Sequence, residues 1–423
     1  MPNPSWNVER IRAEFPALSV TDDNRARIFL DAPGGTQVPR RVVERMTDYL
    51  VRSNANSGGP FVTSRASDAI SEEAHKAMAD LLNAPSHGEI IFGANMTTLT
   101  FALSRALARQ FRPGDEILLT RMDHDGNVGP WLLLARDVGM TVRWLDFDPV
   151  TFEYRLDSLP GLLSDRTKLA AINYASNALG TINDVKAIAQ AVHEVGGLVF
   201  VDAVQYVPHG PTDVQDIECD FLACSAYKHF GPHVGVMWGR RELLERIEAY
   251  KVRPASDDLP TKFETGTQNF EGQAGTLGAI EYLDWLGQAA DQSHAAKFPG
   301  MSGRRRNVHA AMAAMVEYEI ELGGYLLDRL SEVRGLGVFG ITDRAQFHKR
   351  VPTFSFTLND RNPADVAAKL GAENIFVWDG NFYAKEVVER LGLQDKGGLV
   401  RVGLCHYNTR AEVDRFVAVL KSV

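Results

Sequence analysis

Between residues 65 and 240 the chain repeats one pattern: a short, nearly continuous apolar run, then a stretch where apolar residues return every three or four positions. The runs are EIIFG (89–93), EILLT (116–120), TVRWLDF (141–147), KLAAINY (168–174), GLVFVDA (197–203), DFLACS (220–225) and HVGVMWG (233–239). Short runs without polar alternation predict strands covered on both faces. DVKAIAQAVHEVG (184–196) typifies the intervening stretches, an amphipathic helix stopped by glycine. Strand and helix in alternation predict an α/β fold with a mostly parallel seven-stranded sheet, which takes ligands at the carboxyl ends of its strands.

Beyond about residue 285 the texture changes. GQAADQSHAAKFPGMSG is polar, punctuated by Gly and Pro, and reads as a hinge or linker. VHAAMAAMVEYEIELGGYLLDRLSEV then predicts a long helix, and VPTFSFTL, NIFVW and LVRVGL predict short strands, together a smaller α+β unit. The expected division is a large ligand-binding domain over 22–284 and a small C-terminal domain over 285–423, with 1–21 docking on the latter. A length of 423 residues itself favours two domains.

Composition adds exclusions. A net charge of −9 argues against nucleic-acid partners and membrane surfaces, and GRRRN (303–307), the one dense basic run, reads as a solvated helix start. The three cysteines, Cys219, Cys224 and Cys405, form no zinc spacing and no even disulfide set, which suits a reducing compartment. The opening MPNPSWNVERIRAEFPALS has no apolar core, and no run approaches the roughly 20 residues of a membrane span, so a cytoplasmic location is expected.

The polar residues ending the apolar runs carry the candidate chemistry. In ANMTTLT (94–100) the backbone of Asn95, Met96 and Thr97 offers an anion seat at a helix start, or Asn95 or Thr97 simply caps the helix. His124 lies past the second strand as a ligand-facing ring or an ordinary loop residue, and Asn177 lies past the fourth as an amide donor or a turn residue. Asp202 ends a strongly apolar run, where a carboxylate needs a cation or donors; capping the next helix is the other reading. Gln205 can face the same space. In SAYKHFGP (225–232), Lys228 is either an edge residue or an amine whose pKa is lowered by burial, able to form a Schiff base. A nucleophilic lysine, a carboxylate suited to a pyridinium nitrogen and a phosphate seat shared by 95–97 and Ser225 together describe one cofactor.

At these residues the chain resembles the class V aminotransferase family of fold-type I pyridoxal-phosphate enzymes, and within it the cysteine desulfurase and selenocysteine lyase branch. The likeness runs from FLDAPGGTQVP (29–39) to LVRVGLCHYNTRAEVDRFV (399–417). It implies pyridoxal 5′-phosphate, with Lys228 as the internal aldimine, His124 stacked on the ring and Asn177 near the ring hydroxyl. It further implies Asp202 on the ring nitrogen, Gln205 on the phenolic oxygen and Ser225 on the phosphate. Tyr227 stands where the family has a histidine, and its phenol still reaches toward the phosphate. Thr267, in FETGTQN (263–269), would serve the phosphate of a neighbouring subunit, which implies a homodimer. Arg401 would clamp the substrate carboxylate.

The substrate side departs from the pattern. Where desulfurases carry an Arg-x-Gly-x-x-Cys loop, this chain has VWDGNFYAKE (377–386), with Trp378 at the arginine and Tyr383 at the cysteine. The early active-site loop lacks its His-Arg element and has NSGGPF (56–61) instead. The resemblance therefore implies an enzyme acting on a small-molecule amino acid, a side-chain-cleaving lyase without a persulfide cysteine. The alternatives are an aminotransferase using a 2-oxo acid, a non-catalytic pyridoxal-phosphate scaffold and a sulfur-delivery partner. Trp378, Phe382 and Tyr383 predict a larger, more aromatic substrate pocket.

Overall fold

A computed structural model describes residues 6–423. All seven apolar runs become strands of one sheet, ordered Ile90–Gly93, Gly235–Gly239, Phe221–Ser225, Leu198–Asp202, Thr167–Asn173, Glu116–Thr120 and Thr141–Leu145. Gly235–Gly239 is antiparallel to both neighbours and every other pair is parallel. Successive residues of a strand face opposite sides, and both sides are dry in every strand but the edge strand Thr141–Leu145, where Thr141 and Arg143 are exposed and the expected two-sided cover is missing. Ile90, Phe92, Ile172 and Val201 enter one core, while Ile91, Ile117, Ala171 and Phe200 enter the other. That two-sided burial is why the runs show no polar alternation.

Register brings the strand ends together. Asn173 lies opposite Asp202, Asp202 opposite Ala223, and Gly235 opposite both Ser225 and Gly93. The polar residues that follow these positions therefore share one edge of the sheet.

The C-terminal unit is a four-stranded antiparallel sheet ordered Leu336–Phe339, Thr353–Leu358, Leu399–Gly403 and Trp378–Gly380. Its first strand, only partly buried and interrupted by Gly337, has no counterpart in the sequence reading. The N-terminal segment touches both units. Ile28–Phe29 pairs in parallel with Ile375–Phe376, and Ile28 and Leu30 pack into the C-terminal core. Arg12 pairs with Glu412 at 2.9 Å, while Phe15 packs against Tyr407 and Phe230. We propose on this packing that residues 22–30 belong with the small domain; residues 1–5 of the docking segment lie outside the described residues.

The expected linker is mostly helical. The helix Phe270–Ala289 runs into it, Gln292–Ala296 forms a further turn, and the helix Gly303–Ser331 closes it. Gly287 serves a helix contact there, since a Cβ on it would lie 1.8 Å from the Asn307 carbonyl oxygen. The basic run is also not simply solvated. Arg304 reaches Glu73 at 2.6 Å and Asp80 at 2.7 Å, and Arg305 reaches Asp80 at 3.2 Å, fastening this helix to Val62–Leu81. The long helix passes from core to core, contributing Val308, Met312 and Met315 to one and Leu322, Leu326 and Leu330 to the other. Among the described residues, no helix is long and apolar enough to cross a membrane.

Gly235 joins the sheet to the helix that opens at Met96, because a Cβ there would lie 2.3 Å from the Asn95 carbonyl carbon. Gly235→Ala is expected to destabilise the fold by about 1–3 kcal/mol through overpacking, read from the denaturation midpoint. An unchanged midpoint would contradict this close approach.

Candidate active site

Asp202 closes its strand at the sheet edge, and its Oδ1 accepts from the Val204 N–H at 2.9 Å. Burial raises its pKa to about 6, against the pull of the Lys228 charge. Lys228 stands on the tight turn Ala226–Lys228 that follows the strand Phe221–Ser225, and its ammonium donates to the Pro33 carbonyl. Burial first, then the Arg401 charge, lowers its pKa to about 7, with Asp202 opposing. Near neutrality a large share of this amine is therefore unprotonated and nucleophilic.

His124 follows the strand Glu116–Thr120, and its Nδ1 accepts from the Gly126 N–H at 2.9 Å, so the neutral ring carries its proton on Nε2. Burial, reinforced by Lys228 and Arg401, lowers its pKa to about 4 and keeps the ring uncharged. Asn95 caps the helix Met96–Ala108, accepting from the Thr98 N–H at 2.9 Å, and Thr98 completes a capping box. Capping accounts for Asn95, yet the N–H groups of Met96 and Thr97 keep no intrahelical acceptor and lie at the cavity wall.

One cavity is lined by Asn95, Met96, Thr97, His124, Asn177, Asp202, Gln205, Ser225, Tyr227 and Lys228. Thr267 alone of the expected cofactor residues lies elsewhere, in a groove with Phe92, Thr98 and Asn269. A second cavity of about 790 Å³ shares His124, Asn177, Tyr227 and Lys228 and adds Trp378, Tyr383 and Arg401. Arg401, Asn177 and Trp378, the residues expected to meet the substrate, all line it.

The amides depart from expectation. Asn177 Nδ2 donates to the Phe382 carbonyl at 2.9 Å, and its buried Oδ1 has no partner among the described residues. A carbonyl only accepts, so this amide cannot turn over, and the atom left for a ligand is an acceptor rather than the expected donor. Gln205 Nε2 donates to Thr353 Oγ1 at 3.2 Å, leaving its buried Oε1 unpaired. A hydroxyl can donate as well as accept, so Gln205 can turn over and present its NH₂.

Arg401 is buried, donates from Nη1 to the Asn177 carbonyl at 3.0 Å, and leaves Nε unpaired. Burial lowers its pKa to about 9. A guanidinium desolvated without a carboxylate partner is a ready anion seat. Asp31 is a residue the sequence reading passed over: its Oδ1 is buried and unpaired, and burial raises its pKa to about 6, partly offset by Arg401. The signal was present in IFLDAP, where a carboxylate ends an apolar run as Asp202 does.

This fold is that of the class V aminotransferase family: the family profile described as Aminotransferase class-V matches residues 28–302 and 308–416, and the chain belongs to that family. The chain is 34% identical to Aminotransferase-like protein FGM3 of Gibberella zeae, with all of both chains covered. It is 33% identical to a probable cysteine desulfurase of Streptomyces coelicolor, covering 99% of this chain and 97% of the relative. Among solved structures, the apo cysteine desulfurase of Thermococcus onnurineus superposes with a TM-score of 0.86 at 25% identity, covering 100% of this chain and 98% of that one. The cysteine desulfurase CsdA of Escherichia coli gives 0.81 at 25% identity, with 98% of each chain covered.

Members of this family use pyridoxal 5′-phosphate. The residues here fit it: the unpaired buried oxygens of Asn177 and Gln205, a carboxylate at the strand edge and an amine of lowered pKa surround one space, and the unpaired Nε of Arg401 belongs to the adjoining cavity that shares Asn177 and Lys228. Because Lys228 is reactive only when neutral, covalent uptake of pyridoxal phosphate by the apoprotein is expected to rise with pH and be half-maximal near pH 7. Stopped-flow absorbance would measure it. A midpoint near the ordinary lysine value would mean that the amine is not desolvated.

Proposed function

We propose that this chain is a pyridoxal-phosphate lyase that breaks a side-chain bond of an amino acid without passing sulfur to a cysteine. The observation that carries this reading is the wall of the substrate cavity, which presents Trp378, Phe382 and Tyr383 and no thiol. Cys219, Cys224 and Cys405 are all buried and unpaired, and burial pushes each thiol upward, away from thiolate. Three buried free thiols also support a reducing, cytoplasmic setting.

When bound, pyridoxal phosphate supplies an electron sink for charge developing at the substrate α-carbon. In this reading Arg401 holds the substrate carboxylate, fixing the substrate relative to Lys228. Lys228 Nζ, whose lowered pKa of about 7 leaves a large share unprotonated near neutrality, takes the proton from Cα. Asp202 keeps a proton on the pyridine nitrogen by presenting its carboxylate there, and the first-turn amides at Met96 and Thr97 with Ser225 hold the phosphate. His124, uncharged, covers the ring without adding a competing positive charge. In this reading the cavity of about 790 Å³ beside the aromatic wall admits a side chain larger than that of cysteine.

An aminotransferase reading is favoured by the name of the Gibberella zeae relative. Thr267, remote from its own chain's cavity, supports a homodimer in which it serves the neighbouring site. The desolvated Lys228 and Asp202 argue against a non-catalytic scaffold, since unused buried charges are costly to keep.

Anaerobic product analysis with pooled amino acids, including cysteine, cysteine sulfinate and selenocysteine, separates the readings. Turnover without a 2-oxo acid supports the lyase; turnover that strictly requires one overturns it in favour of the transferase. Lys228→Ala is expected to abolish covalent cofactor attachment and turnover. Arg401→Ala should weaken transition-state binding by about 2–5 kcal/mol, mainly through KM. Unchanged kinetics would put the carboxylate elsewhere.

A further inference from the structure

The wall opposite Lys228 is made by a short segment whose backbone is unusual. Phe382 (φ 54°) and Tyr383 (φ 58°) are consecutive non-glycine residues in the left-handed region, disfavoured for bulky side chains. Each is fastened to the sheet edge through its carbonyl. Asn177 Nδ2 donates to Phe382 O at 2.9 Å, and the Asp125 N–H donates to Tyr383 O at 2.6 Å. The following helix Lys385–Arg390 is tied down as well, by the pairs Arg121–Glu386 and Arg390–Asp146, the latter at 3.0 Å.

The two side chains then point at different functional groups. The Arg401 guanidinium lies 4.3 Å from the Phe382 ring centre, and Arg401 also donates to the Asn177 carbonyl, so Asn177, Phe382 and Arg401 form a closed loop of contacts. Tyr383 stacks on His124 with centroids 5.5 Å apart and planes 27° from parallel. Tyr383 as a residue is 71% exposed, so core burial does not explain its place. The paired left-handed backbone turns one aromatic inward beneath the arginine and lays the next against the histidine.

We propose that Phe382 and Tyr383 are positioning residues forming one strap across the site: Phe382 aims the anion-binding Arg401 together with Asn177, and Tyr383 fixes the plane of His124. The proposal rests on the reading above, in which Arg401 meets the substrate carboxylate and His124 covers the cofactor ring. The strap takes part through shape and stacking, and no proton or group passes through the Tyr383 hydroxyl.

Glycine variants test this without adding backbone strain, because glycine adopts the left-handed conformation freely. Cofactor loss from the holoprotein is followed by absorbance during dilution into a phosphate-free trap. Y383G should release pyridoxal phosphate roughly 3- to 10-fold faster than wild type, the worth of an aromatic stack, while Y383F should match wild type. F382G should weaken propionate binding to the holoprotein roughly 3- to 30-fold, as loss of a cation–π contact implies, with F382Y restoring it and cofactor release unchanged. Unaltered release in Y383G, or accelerated release in Y383F, would overturn the histidine half. Unaltered propionate binding in F382G would overturn the arginine half. A wild-type protein that takes up no pyridoxal phosphate, or a Lys228→Ala variant that attaches it covalently as wild type does, would instead strike the reading beneath.

Discussion

Three ionisable groups are held out of water without neutralising one another by direct contact: Lys228 and Asp202 at the edge of the seven-stranded sheet, and Arg401 on the strand Leu399–Gly403 of the C-terminal sheet. Lys228 is bonded to a backbone carbonyl, Asp202 to a backbone N–H, and Arg401 to another carbonyl and an aromatic face. Such desolvation is unfavourable in isolation, and it persists because the surrounding fold fixes each group. It is also what makes the site reactive. The amine loses its charge near neutrality, and the arginine and the unpaired oxygens of Asn177 and Gln205 await a ligand. The rest of the architecture, from the two-sided core to the antiparallel strand beside Ser225, delivers these side chains to one dry space.

Much of this was legible in the chain. Six of the seven strands could be read because burial on both faces removes polar residues from the run, the edge strand Thr141–Leu145 by its β-branched and aromatic residues, and the site residues because each breaks such a run at its carboxyl end. What was hidden depended on tertiary contact. Gly287 resembles a linker residue until Asn307 is seen crossing it, and Arg304 resembles a solvated cation until Glu73 and Asp80 appear beside it. Asn177 lies where expected, yet its orientation is set by Phe382, more than 200 positions away. No local pattern encodes such a constraint. Asp31 went unread for a simpler reason: its apolar run pairs through only Ile28–Phe29, too short to register as a strand.

The site has a floor and a wall built on different parts of the fold. The floor residues occupy strand ends, where the backbone allows few alternatives, and the profile match spans them. The wall lies on a segment of the C-terminal unit between the strand Trp378–Gly380 and the helix Lys385–Arg390, outside both sheets. Chemistry on a common scaffold diversifies at such positions.

The helix Gly303–Ser331 has a thermodynamic consequence. Its first turns are part of one core and its last turns part of another, while the chain's own beginning is stitched to both. Loss of either core would strip apolar cover from a helix that the other still requires. The two units are therefore expected to melt together, with neither stable as an excised module, because each would leave part of this helix without its apolar cover.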